Sequence, residues 1–375
     1  MSTANPATPV PELQSAQQAY EQGRYDEALR IARALDAASE TFDSAAMRLR
    51  CLAAWRAGEI DEAARTAERM IAAVGNDPGA AAARFDVLAV SVVAAGELAR
   101  FDQSIAHLKL LLPMAARADS LTEFVRARGT AATCFTLIGD PWAGLRLLSE
   151  LVGLFQGGTP ERRLEATVRT NHAAVCLQIA RLARQGGDAA DCDEALEFAA
   201  ASLERAREIA RQIADARTAA FADVHAAELA LLHGDADAAL AMLAGTVDHA
   251  DAAGLAAHAR QLRLLEAEAR QSRGDTAGAQ VMLEAVRSRL NEGHEIGSRI
   301  RYHSQQQRVC SALGDPAAAL AHLEQARALA QYRQYRQSRA QSQHLRTRLE
   351  LEHMYRYRTG TTQGRASRPG SLRTR

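Results

Sequence analysis

Eleven histidines and five cysteines are the side chains of this 375-residue chain best suited to hold a metal or attack a substrate. Both kinds of chemistry need such residues at set spacings. No HExxH, HxH or Cys-x-x-Cys occurs. His225 and His233 lie eight apart, loosely one helix face, without a third ligand. Cys51 and Cys310 read as core thiols, and Cys134 and Cys176 fall inside apolar helical patterns. Cys192 is flanked by Asp191, Asp193 and Glu194; it is expected in an exposed loop, where carboxylates suppress its thiolate. There is no GxSxG elbow, Walker loop or GxGxxG turn. The acid pairs Asp61-Glu62 and Asp193-Glu194 sit where helices should start, and complementing the helix dipole explains them. No catalytic residue, metal or cofactor is therefore expected, and the chain reads as a non-enzyme.

Recognition without chemistry needs polar side chains on one repeated face, and these are present. They are Arg126, Thr130, Asn171, His225, Glu228, Gln261, Glu268, Arg301, Gln305 and Arg308. Apart from Asn171, they stand six, nine or ten residues before a recurring glycine, or one helical turn further back. In the fourth copy the same count also reaches Gly129 and Thr133.

The elements that position them follow from that glycine. The phrase Gly-Asp-x-x-x-small recurs at Gly139, Gly234, Gly274 and Gly314, the last three 40 residues apart. Earlier copies start at Gly23 and Gly58, a degenerate one at Ala99, and another at Gly186-Gly187-Asp188 with an insertion before Ala195. Glycine past a helix end tolerates the left-handed conformation that closes the last carbonyls. The following aspartate caps the next helix. Five residues on, Ala28, Ala63, Ser104, Gly144, Ala195, Ala239, Ala279 and Ala319 are all small, so two helices can approach closely. The unit is a helical hairpin, repeated about eight times.

The pattern resembles the tetratricopeptide (TPR) repeat, most closely in Gly23-Arg24-Tyr25-Asp26-Glu27-Ala28-Leu29. The period is nearer 40 than 34, and the first-helix tryptophan is absent. That long-period form is similar to repeat domains of bacterial regulators: maltose-activator-like transcription factors, Rap-type peptide sensors and the sensor halves of diguanylate cyclases. The resemblance spans residues 12–330 and implies an all-α, right-handed α-solenoid of about eight TPR-like hairpins. It also implies a concave, protein- or peptide-binding groove lined by the first helices. Thr170-Asn171-His172-Ala173-Ala174 resembles the family's Asn-Leu-Gly stretch, which implies that Asn171 points into the groove. Only scattered residues match the carboxylate clamp of chaperone co-factors.

Composition agrees with helices. Apolar residues make up 47%, aromatics only 5%, and roughly a fifth are alanine, the best helix former. Lys109 is the sole lysine among 45 basic residues, so arginine-for-lysine choices carry little functional information. Net charge is zero, which argues against a general nucleic-acid or membrane-surface binder. Reduced thiols, no secretion signal and no uninterrupted apolar span suggest a cytoplasmic protein.

Residues 1–11 are expected to be disordered, residues 183–193 to form an enlarged loop, and Gly157-Gly158-Thr159-Pro160 to break two repeats. Residues 331–358 are expected as a separate C-terminal helix and 359–375 as a disordered arginine-rich tail. From 331 on, eleven arginines and two acids leave +9, so the first 330 residues carry −9. Three readings fit this end: a capping helix with a solvated tail, a nucleic-acid arm, or a connector. The connector reading would make the chain a sensor half without its GGDEF domain and would pair two copies through 331–358. The favoured function is a peptide- or protein-binding adaptor in bacterial signalling.

Overall fold

The computed structural model describes the backbone of residues 11–38, 43–117, 120–157, 161–288 and 290–366, and side chains within these except at 216–217 and 344–366. Among the described residues the regular elements are all helical and fall into eight antiparallel hairpins. They are α1 (Pro11–Glu21) with α2 (Tyr25–Ala38), α3 (Ser44–Ala57) with α4 (Ile60–Val74), α5 (Ala81–Glu97) with α6 (Phe101–Arg117), and α7 (Leu121–Leu137) with α8 (Pro141–Leu154). Next come α9 (Arg162–Gly186) with α10 (Ala189–Gln212) and α11 (Ala216–Leu232) with α12 (Ala236–Leu243). A short α13 (Thr246–Ala252) precedes α14 (Ala256–Ser272) with α15 (Thr276–Arg287), and α16 (Ile296–Ala312) pairs with α17 (Pro316–Ala366).

Each hairpin turns where the glycine count says it should. Gly23, Gly58, Gly139, Gly187, Gly234, Gly274 and Gly314 all have φ between 78° and 93°. The degenerate third copy uses Ala99 at φ 57°, a left-handed alanine that costs about 1–2 kcal/mol. Asp140, Asp188, Asp235, Asp275 and Asp315 each accept the backbone N–H three residues on, at 2.8–3.0 Å. These are side-chain caps of the second helices. The small residue five past the turn is where the two helices meet. A Cβ on Gly144 would stand 2.6 Å from Thr136 Oγ1 and 2.8 Å from the Ala132 carbonyl.

The fifth hairpin corrects the sequence reading. There is no enlarged loop over 183–193: α9 runs to Gly186, Gly187 makes the turn and α10 starts at Ala189. Counting from Gly187 places Cys192, not Ala195, in the small position, with Leu196 four residues on. Cys192 is accordingly buried rather than exposed. The charged Asp191-Cys192-Asp193-Glu194 run is the first turns of an amphipathic helix. The extra length of this repeat sits in its helices, 25 and 24 residues long. Cys51, Cys134 and Cys176 are core thiols as expected, whereas Cys310 is only half-buried.

Residues 331–358 are not a separate element. They continue α17, the second helix of the last hairpin, without a break through to Ala366. The expected disordered tail is helical at 359–366, and the remainder lies outside the described residues, as do residues 1–10 and 158–160.

Neighbouring first helices (α3 with α5, α5 with α7, α9 with α11, α14 with α16) pack on one another, whereas neighbouring second helices make no comparable contact. The row therefore curves with its first helices inside. After about six hairpins it meets itself. A Cβ on Gly254 would lie 3.0 Å from the Gly23 carbonyl, and one on Gly58 3.1 Å from Ala257 N. Asp61 N–H donates to the Gly293 carbonyl at 3.2 Å. Nearby, Arg260 Nη2 donates to both carboxylate oxygens of Glu295, at 2.9 and 3.1 Å, with both side chains buried. Further along, α17 lies across hairpins three and four. Gln337 and Gln341 donate to the orphan carbonyls of Leu137 and Ile138, each at 2.7 Å, and Ala340 is fully buried. The hydrophobic core mirrors this closure, since one cluster joins Phe85, Leu88 and Phe101 to Ile296 and Ala340.

One stretch, Pro78–Glu97, is long and apolar enough to cross a membrane by composition. It is mostly α5, which buries Phe85, Val87, Leu88 and Val92 inside the third hairpin.

Candidate functional site: the inner face of the first helices

Counting back six residues from each turn gives Thr133, Arg181, Glu228, Glu268 and Arg308 in hairpins four to eight. The structure joins four consecutive hairpins of this row by charge. Glu228, buried in α11, receives Arg181 from α9 and, at 3.5 Å, Arg301 from α16. Arg301 also donates to Glu268 of α14 at 2.7 and 3.1 Å. Gln305 Nε2 donates to the Leu264 carbonyl at 2.9 Å and to Glu268 at 3.3 Å, and its Oε1 is left without a partner. His225 Nδ1 lies 3.2 Å from Glu228.

Protonation follows from burial and neighbours. Burial, with Arg181 beside it, lowers His225 to about 4, so the ring is neutral at pH 7 and donates Nδ1–H to Glu228. Burial and the charge of Arg301 lower Arg181 to about 9, still cationic at pH 7. Burial opposes ionisation of Glu268, but Arg301, Arg181 and Arg308 together outweigh it and hold the carboxyl below its ordinary value. Arg181 and Glu268 are thus charged at neutral pH, and hydrogen bonds and ion pairs brace the cluster across four hairpins.

A second, smaller ladder occupies the other half of the row. Asp86 of α5 takes Arg48 of α3 at 2.8 Å and Arg126 of α7 at 2.8 Å. The Arg126 guanidinium also lies 5.2 Å from the Phe85 ring centroid, within cation–π range.

Of the ten residues singled out from sequence, the structure brings five together: His225, Glu228, Glu268, Arg301 and Gln305. Arg126 is placed in the second ladder. Thr130 and Gln261 stand half-buried, and Arg308 is exposed. Asn171 is also half-buried but ten residues from Arg181, about 15 Å along α9 at 1.5 Å per residue. It takes no part in the network. Sequence reasoning missed Arg181, Arg48 and Asp86. The signal was available: the same offsets counted from Gly187, Gly58 and Ala99 reach all three.

Other titratable clusters are built differently. His172 is buried among Ser149 at 3.2 Å and Ser202 at 2.9 Å, and burial lowers it to about 4, a satisfied core imidazole. His303 and His322 face each other at 3.0 Å on an open pocket of about 550 Å³ that also touches Tyr302 and Cys310. A second pocket of about 730 Å³ is lined by Leu203, Leu229 and Met242 together with Arg207 and Asp223. Neither contains a residue of the two ladders. Among the described residues no three histidine, cysteine or carboxylate groups converge to hold a metal.

No protein-family model matches the chain, and no curated protein is significantly similar in sequence. Solved structures do resemble it. A Rap protein complexed with competence and sporulation factor is 12% identical, aligns over 95% of both chains and gives a TM-score of 0.57. Cut9, in the APC/C hetero-tetramer Cut9–Hcn1, is also 12% identical, with a TM-score of 0.51 over 88% of this chain and 55% of its own. A phAimR–ligand structure follows at 12% identity and a TM-score of 0.48 over 88% and 87%. The resemblance to cyclase sensor domains gains no support from these structures. The shared feature is a curved row of helical hairpins, and by fold this chain is a tetratricopeptide-like α-solenoid protein.

Proposed function

We propose that this protein is a non-enzymatic adaptor that binds a peptide or protein segment along the inner face of its first helices, working in the cytoplasm in bacterial signalling or regulation. The observation that carries this reading is the ion-pair row Arg181–Glu228–Arg301–Glu268. It spans four consecutive hairpins on the one face they share, at positions that a packed core alone would fill with apolar side chains. Amide, guanidinium and carboxylate groups on such a face suit the alternating donors and acceptors of a polypeptide backbone. The similar Rap protein was solved with competence and sporulation factor bound, which is in keeping with a ligand-receiving solenoid.

The test is capture by the intact chain. The double substitution Asn171→Ala with Arg308→Glu should abolish partner retention while circular dichroism keeps its helical signal. Undiminished retention by the double variant refutes the groove as the binding face.

A further inference from the structure

We infer that the inner face selects an acidic peptide, one whose Asp or Glu carboxylates are received by arginines left in excess on the first helices. The inference rests on the groove reading above and names the chemistry of the ligand.

At the offsets of six, nine, ten and thirteen residues before each turn, five arginines (Arg48, Arg126, Arg181, Arg301 and Arg308) stand against three acids. Those acids are already shared. Asp86 is divided between Arg48 and Arg126, and Glu228 between Arg181 and Arg301. Glu268 accepts from Arg301 and Gln305. Arg308 is exposed; it lies near enough to Glu268 to help keep that carboxyl ionised, yet it donates to no described group. The face therefore carries two positive charges beyond what its own acids balance.

The contrast with the rest of the molecule gives this weight. The first 330 residues are net −9, so a positive inner row runs against the charge of the body that displays it. The chain-wide preference for arginine over lysine accounts for the type of cation, but not for cations gathered on one face of an acidic body. Guanidinium and carboxylate pair through two parallel hydrogen bonds, which gives orientation as well as energy. The half-buried members of the ladders are held by their neighbours, so little side-chain entropy remains to be lost when a ligand docks.

Spacing adds a prediction about the ligand. Packed first helices stand roughly 8–10 Å apart, which is about three residues of extended chain. Acids about three residues apart would reach arginines on successive hairpins.

The experiment is selection of a random octapeptide display library on the full-length chain, in parallel with Arg308→Glu and with Arg126→Glu/Arg308→Glu. The expected result is enrichment of Asp and Glu on the native chain and loss of those sequences on the variants. The most enriched octapeptide, synthesised with a dye, should bind at least tenfold more weakly to Arg308→Glu. Replacing its acids by Asn and Gln should cost as much, and raised salt should weaken it. Enrichment of neutral or basic sequences, lost on the variants, overturns the acidic selectivity and leaves the peptide groove standing. Selection of nothing above background, or of sequences indifferent to both substitutions, overturns the groove reading as well.

Discussion

Glu228→Gln tests whether the inner network is an energetic unit. Glu228 is 7% exposed and takes two guanidiniums and one imidazole. Removing one partner of a buried ion pair costs about 3–5 kcal/mol, because the other charge is left buried and unpaired. The side chains of Arg181 and Arg301 keep 29% and 27% of their exposure, so water recovers part of that. Arg301 also keeps Glu268 at 2.7 Å. Arg181 keeps no ion pair of its own. The expected loss is therefore about 2–3 kcal/mol, most of it from Arg181. Arg181→Met should be milder, about 1 kcal/mol, since Glu228 retains Arg301 and His225 and the methionine retains the packing of the arginine stem. The double variant has no stranded guanidinium and should resemble Glu228→Gln, or improve on it, giving a coupling of about 1–2 kcal/mol. The assay is urea unfolding of the four proteins followed by helical signal. Hydrogen exchange in α9, α11 and α14 should accompany it, because repeat proteins can unfold in parts. A coupling below about 0.3 kcal/mol, the scatter of independent sites, would show that these charges merely neighbour one another.

Four further outcomes follow from the geometry. Gly144→Ala drives a methyl group into Thr136 Oγ1 and the Ala132 carbonyl, at 2.6 and 2.8 Å, and should cost about 1–3 kcal/mol in thermal or urea unfolding; a neutral substitution refutes close approach at the small position. Burial beside Glu295 raises Glu97 to about 7, so its contribution is present below pH 4.5 and is lost as pH rises through 7, and Glu97→Gln should stabilise the chain at pH 8 while changing little at pH 4. His172, His225 and His303 slope the other way: burial lowers each to about 4, so their contribution is present above pH 6.5 and fades as pH falls from 6.5 to 4. With Glu97→Gln removing the opposing slope, the chain should weaken with acid across that window, and a flat stability profile of that variant contradicts the histidine assignment. Deleting residues 331–375 removes Gln337, Ala340 and Gln341 from hairpins three and four, so exchange protection should fall at the end of α7, about 200 residues away in sequence; unchanged protection there means α17 does not brace the solenoid.

The hairpin and its copy number were legible in the sequence because they depend on local physics. A left-handed glycine, a capping aspartate and a small residue five positions on each act within one or two helical turns. Those rules placed seven of the turns and most of the inner-face residues. They failed in the fifth hairpin, where Asp191, Asp193 and Glu194 suggested a loop. The structure shows that Gly187 and Asp188 already satisfy the turn, so Cys192 had to be buried at the helix crossing. Taking Ala195 rather than Cys192 as the small residue of this repeat also hid Arg181, the residue that ties hairpin five to hairpin six.

Tertiary structure alone decided what lies between distant repeats. That Arg301 would bridge Glu228 and Glu268 depends on the curvature of the row, and curvature is the sum of small rotations that no single repeat encodes. The same accumulation brings Gly23 against Gly254 and α17 onto the carbonyls that end α7. Residues 331–358 read in sequence as a separate capping or connector helix, because the partners of Gln337 and Gln341 are about 200 positions away. Periodicity reports which face a helix buries, but only the closed superhelix shows what that face meets.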